Sequence, residues 1–132
     1  MRLLCIDYGL RNLGFATAET PLATPHSVAH VQSLSEAITA TARVIDQVHP
    51  DQIVVGIPEG EIAISVNNFV AALRPLVKVD VVTHEETLSS QEAVTKLHEA
   101  GASRAKLKAD HSFAACLILE DYLEAYPDLV KI

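Results

Sequence analysis

Leu3-Leu4-Cys5-Ile6-Asp7-Tyr8-Gly9-Leu10-Arg11-Asn12-Leu13-Gly14-Phe15-Ala16 decides the fold. Four apolar residues, Leu3 to Ile6, read as a buried strand; a carboxylate follows, and a glycine-bearing turn leads into a second short strand ending near Ala18. Asp7 therefore sits where a core strand meets solvent. A charged side chain is costly to bury unpaired, so a carboxylate at that point calls for a partner or a cation. The alternative is that Asp7 caps the turn through its own backbone.

Outward from this stretch, the composition bounds the rest. A length of 132 residues with 49% apolar content suits one globular domain, 1–132, with a single buried core. No apolar run approaches the roughly 18 residues of a membrane span, and no basic-then-apolar signal pattern opens the chain, so the expected location is the cytoplasm. Cys5 and Cys116 have neither metal nor redox spacing and read as small buried hydrophobes.

Along the chain, Tyr8 to Asn12 forms a hairpin turn, and Ser27 to Val31 suits a third strand after Pro21 and Pro25. Apolar residues at Ile38, Ala42, Ile45 and Val48 predict an amphipathic helix over Ser35–His49, stopped by Pro50. Gln52 to Ile57 is a β-branched strand, parallel to the first because a helix links them. A helix over Val66–Leu76 and a strand over Lys78–Thr83 come next. Ser89 and Glu92 fit a capping box whose helix ends at Gly101. A last helix starts near Asp110, with Ala115, Ile118, Leu119, Tyr122 and Leu123 on one face. Antiparallel strands followed by helix-linked strands predict an α/β fold, a mixed five-stranded sheet with helices on both faces.

The acids fall at related places. Asp7 ends the first strand, Glu85 and Glu86 follow the strand ending at Thr83, and Asp110 opens the last helix. Where the first and fourth strands are parallel neighbours, such carboxylates converge at one end of the sheet. Three convergent carboxylates repel unless cations lie between them, and oxygen-only ligands select Mg²⁺ or Mn²⁺. That is the setting of two-metal phosphodiester hydrolysis, with ions about 3.5–4 Å apart. Glu59 and Glu61, after Pro58, are alternative ligands.

Seventeen acidic residues against ten basic give a net charge of −7, which disfavours a phosphate backbone over the surface as a whole. Placement matters more: Arg104, Lys106 and Lys108 crowd the segment before Asp110, and Arg11 follows the first strand. Basic residues beside a carboxylate suit a phosphate held next to a metal; a solvated loop is the bland alternative. His111, beside Asp110, is read either as a proton-transfer aid or as a solvated first-turn residue.

Four blocks together resemble the YqgF or RuvX family. They are Ile6-Asp7-Tyr8-Gly9 with Gly14, Ile53-Val54-Val55-Gly56-Ile57-Pro58, Glu85 to Ala93, and Asp110 with Ala114-Ala115 and Ile118 to Leu123. The resemblance spans nearly the whole chain in the same block order. It implies a ribonuclease H-like fold and a nuclease acting on structured nucleic acid: pre-16S rRNA at its 5′ end, or branched DNA as in the related Holliday junction resolvases. It further implies Asp7, Glu86 and Asp110 as catalytic metal ligands for Mg²⁺ or Mn²⁺, in a monomer or homodimer. At two places the third block departs from the family. Glu85 stands for an aspartate, and Thr87 for an arginine, which removes a bidentate phosphate contact. A binding protein of the same fold with weak catalysis is therefore the rival class.

Overall fold

The structure, a computed structural model, describes residues 1–85 and 110–130, Asp110 by its place at the start of a helix alone. Five strands, β1 (Leu3–Tyr8), β2 (Asn12–Ala18), β3 (Thr24–His30), β4 (Gln52–Ile57) and β5 (Asp80–Glu85), form one sheet in the order β3-β2-β1-β4-β5. β2 runs antiparallel to β1 and to β3, whereas β4 runs parallel to β1 and to β5. The predicted parallel pairing of the first and fourth strands is present. Among the described residues the helices are α1 (Leu34–Val48), α2 (Ile62–Leu73) and α3 (Asp110–Ala125).

β1 is central, and all six of its residues are buried. Side chains alternate across a strand, so its two faces meet different partners. Leu4, Ile6 and Tyr8 join Leu13, Phe15, Ile53 and Val55 in a core shared with α1 and α2. Leu3 and Cys5 join Ala16, Ala18, Val54 and the apolar stripe of α3 on the other face. The helices therefore cover both faces, as expected. Asp7 continues the Leu3–Cys5 series and belongs to the α3 face.

Several bounds differ from the sequence reading, each for a local reason. β3 starts at Thr24 rather than Ser27 and contains Pro25, which an edge strand tolerates where no ladder donor is needed. Its pairing with β2 shifts between Phe15 and Ala16, which face Ser27 and Pro25, leaving His26 as the extra residue of a bulge. The buried stripe of α1 is Ala37, Thr41, Val44 and Val48, and Ala42 is exposed. Thr41 enters the core because its hydroxyl donates to the Ala37 carbonyl at 2.8 Å. Ser33 caps α1 by accepting from the Glu36 N–H, and Glu36 reaches back to accept from the Gln32 N–H. α2 begins at Ile62, after Gly60 with its positive φ of 90°, and gives way to a 3₁₀ turn over Arg74–Leu76. β5 runs two residues past Thr83, so Glu85 lies within the strand.

α3 matches its predicted stripe, with Ala115, Ile118, Leu119, Tyr122 and Leu123 buried. Cys5 and Cys116 are buried in one apolar cluster, as expected of small hydrophobes. The predicted capping box at Ser89 lies outside the described residues. No described helix is long and apolar enough to cross a membrane.

Candidate functional site

Asp7 lies one residue before the end of β1, only 4% exposed. Its partner in the antiparallel register is Gly14. The missing side chain at Gly14 leaves room for the backbone of α3: a Cβ there would stand 2.0 Å from the His111 carbonyl oxygen. The first turn of α3 therefore lies directly on β2 beside Asp7. His111 Nδ1 is 3.4 Å from Asp7 Oδ2, at the outer limit of a hydrogen bond, and the His111 side chain is 24% exposed. His111 is thus half-buried against the carboxylate, and the solvated first-turn reading does not hold. Asp110 is the residue before it, at the start of α3. The positive end of the helix dipole faces the same region, which favours a carboxylate or phosphate there.

The neighbouring strands end at the same edge. Leu3 to Ile6 pair with Gln52 to Val55, which carries Asp7 level with Gly56, and Gly56 pairs with His84 of β5. Val82 packs against the α3 cluster and Val81 against the opposite core. By alternation His84 shares the face of Asp7, and Glu85 takes the other. Glu85 accordingly lines a depression of about 340 Å³ with Ile57, Pro58, Glu59, Gly60 and Ala63. Glu59 and Glu61 are exposed in the turn after β4.

Of the sequence-predicted residues, then, Asp7 and the start of α3 at Asp110 are brought together. Arg11 is exposed in the β1–β2 turn. Glu86, Thr87, Arg104, Lys106 and Lys108 lie outside the described residues. Among the described residues no three His, Cys, Asp or Glu side chains form a group able to hold a metal ion.

One pairing escaped the sequence reading. His84 Nε2 lies 2.7 Å from Asp121 Oδ2, joining β5 to α3, and the His84 ring meets Tyr122 edge-on at 5.4 Å. Tyr122 in turn donates to Gln52 Oε1 at 3.3 Å. A histidine at an alternate position within a β-branched strand was the available signal.

A family profile described as "RuvX: Holliday junction resolvase" matches residues 1–125. The chain belongs to the RuvX family. Relatives from Escherichia coli (strain SE11) and Salmonella arizonae, each named "Putative pre-16S rRNA nuclease", are 33% identical over 92% of this chain and 95% of their own length. Among solved structures, Thermus thermophilus RuvC in complex with a Holliday junction substrate aligns over 99% of this RuvX-family chain and 98% of its own, at 15% identity and a TM-score of 0.66. The Fowlpox virus resolvase in complex with Holliday junction DNA aligns over 96% and 99%, at 13% identity and a TM-score of 0.62. At such identities these likenesses concern the fold, the resolvase form of the ribonuclease H-like sheet.

Proposed function

We propose that this RuvX-family chain is a divalent-metal-dependent nuclease of the cytoplasm that hydrolyses phosphodiester bonds at the 5′ end of pre-16S rRNA. The observation that carries the reading is the buried Asp7 carboxylate, set at the end of the central strand under the first turn of α3. The 33% identity to relatives bearing the pre-16S rRNA nuclease name supports the substrate.

The donor set fits a hard cation. Asp7, Asp110 and Glu86 offer carboxylate oxygens only, the chemistry that Mg²⁺ and Mn²⁺ prefer over softer metals. These three residues would hold the metal, which when bound supplies Lewis-acid activation of water and neutralisation of phosphate charge. The residues of the chain do the rest. Asp7 is held by the sheet on one side and by α3 on the other, so its oxygens are fixed before substrate arrives. His111 orients Asp7 through its Nδ1 contact. Arg11, on the adjoining turn, holds a backbone phosphate, as do Arg104, Lys106 and Lys108. Thr87, where the family has arginine, leaves positioning of the phosphate to these groups.

The test is cleavage by purified protein of a pre-16S 5′ precursor, a four-way DNA junction and single-stranded DNA, with Mg²⁺ or Mn²⁺ and with chelator. Metal-dependent cutting of the precursor is expected. Binding without turnover on all three would instead indicate the weakly catalytic class. Junction cutting in preference to the precursor would favour the second reading, branched-DNA resolution, for which the family description speaks.

A further inference from the structure

Beside the acid end of the sheet lies a groove of about 780 Å³, walled by the β1–β2 turn from Leu10 to Asn12, by His30 and Gln32 at the end of β3, and by Glu36 of α1. Asn12 and His30 are register partners across β2 and β3, and His30 Nδ1 is hydrogen-bonded to Asn12 Oδ1. An amide oxygen only accepts, so Nδ1 donates, and the neutral ring then presents Nε2 as an acceptor. The Asn12 amide nitrogen keeps donors of its own. A donor and an acceptor thus stand side by side at the groove.

Their position relates them to the cut. Asn12 lies two residues before Gly14, the partner of Asp7, and so shares its face as a diagonal neighbour. In an antiparallel pair that separation is about 7–8 Å, within the reach of one nucleotide. Arg11, in the same wall, suits the intervening phosphate, and Leu10, 63% exposed, offers apolar surface to a base. A ribose 2′-hydroxyl both donates and accepts, and deoxyribose offers neither function. Resting on the nuclease reading above, we propose that the Asn12–His30 pair reads the 2′-hydroxyl of the nucleotide next to the scissile phosphate and so selects RNA strands over DNA strands.

The test uses a fluorescein-labelled single-stranded oligonucleotide copied from a 5′ precursor, made all-ribose and all-2′-deoxy. Binding is read by anisotropy in chelator, where no cleavage occurs. The wild-type chain should bind the ribose strand more tightly by about three- to tenfold, the range of one or two hydrogen bonds. Asn12→Asp keeps the acceptor toward His30 and removes the amide donors, and His30→Phe removes the ring acceptor. Collapse of the ribose preference toward one in either variant supports the pair as reader, whatever happens to absolute affinity. Equal wild-type affinity for the two strands, no binding of the ribose strand, or an unchanged preference in both variants overturns it. Ribose preference in a protein that cuts nothing would leave the reader standing and remove the nuclease reading. Cleavage without ribose preference would do the reverse.

Discussion

Gly14 and the backbone of His111 share one small volume: a Cβ on Gly14 would lie 2.0 Å from the His111 carbonyl oxygen and 2.7 Å from the Ser112 nitrogen. Backbone atoms of a packed helix cannot step aside as a side-chain tip can. Ala16 and Ala18, on the same face of β2, continue the close approach. Since Gly14 is also the register partner of Asp7, this contact sets the height of the first turn of α3 over the carboxylate.

Gly14→Ala should therefore lower the unfolding free energy by about 1–3 kcal/mol or more through overpacking. It should also cut turnover at temperatures where the variant is fully folded, because the start of α3 is displaced from Asp7. Urea denaturation together with a cleavage assay checks both effects. Wild-type stability would mean that α3 does not rest on Gly14.

Asp7→Asn keeps the shape of the side chain and removes its charge. Cleavage should vanish while the fold survives, since the amide keeps the volume and the acceptor oxygen of the carboxylate. Excess chelator should silence the wild-type protein in the same way. A wild-type rate in the variant would remove Asp7 from the site, and activity in chelator would end the two-metal reading.

The sheet was legible because its signals are local: the apolar run before Asp7, the β-branched run before Pro58 and the spacing of helix stripes each report one element. What escaped depends on pairs far apart in the chain. Nothing in the sequence announces that His111 packs against Asp7 across 104 positions, or that His84 meets Asp121 across 37. Thr41 carries a hydroxyl and is nevertheless buried, because that hydroxyl bonds within the helix. The start of α3 at Asp110 is legible from the apolar stripe that follows it, a local signal, whereas the contact between His111 and Asp7 is not, because the two are distant in the chain. The register that pairs Asn12 with His30 depends on a hairpin with a bulge, which composition does not reveal.

The basic segment should dominate affinity for nucleic acid. Replacing Arg104, Lys106 and Lys108 with Ala should weaken RNA binding most at low salt and lower the slope of log affinity against log salt by roughly 0.7 for each lost contact on a single strand. The loss should be similar for different sequences, because phosphate contacts carry no base information. An unaltered slope would route the strand over another face.

Burial, together with the charge of Glu120, pushes the Cys116 thiol from 9.0 up to about 12. The folded state thus keeps its proton at pH values where the unfolded chain has lost it. Stability from this group is full below pH 9 and falls as pH rises from about 9 toward 12, by up to roughly 1.4 kcal/mol per unit. The difference in unfolding free energy between wild type and Cys116→Ala, followed across that window, isolates the thiol from other alkaline titrations. A difference independent of pH would mean that the thiol ionises equally in both states.

The second acid of the site can be decided by comparing four carboxylates. Glu85 ends β5 on the face opposite Asp7, where it lines the depression with Glu59. A carboxylate on the far side of a sheet cannot share a metal with Asp7, so Glu85→Gln should leave turnover nearly unchanged. Glu59 and Glu61 are exposed in the turn after β4, at the same end of the sheet as Asp7. Either is a ligand only if that turn folds inward. Glu86→Gln should therefore reduce kcat by at least about a hundredfold, the scale on which electrostatic stabilisation of a transition state acts, with Glu59→Gln and Glu61→Gln much milder. Rates measured at saturating Mg²⁺ and again at limiting Mg²⁺ separate a lost ligand, which raises the metal requirement, from a lost phosphate contact, which does not. If Glu59→Gln or Glu61→Gln is the more damaging change, the second ligand belongs to the turn after Pro58.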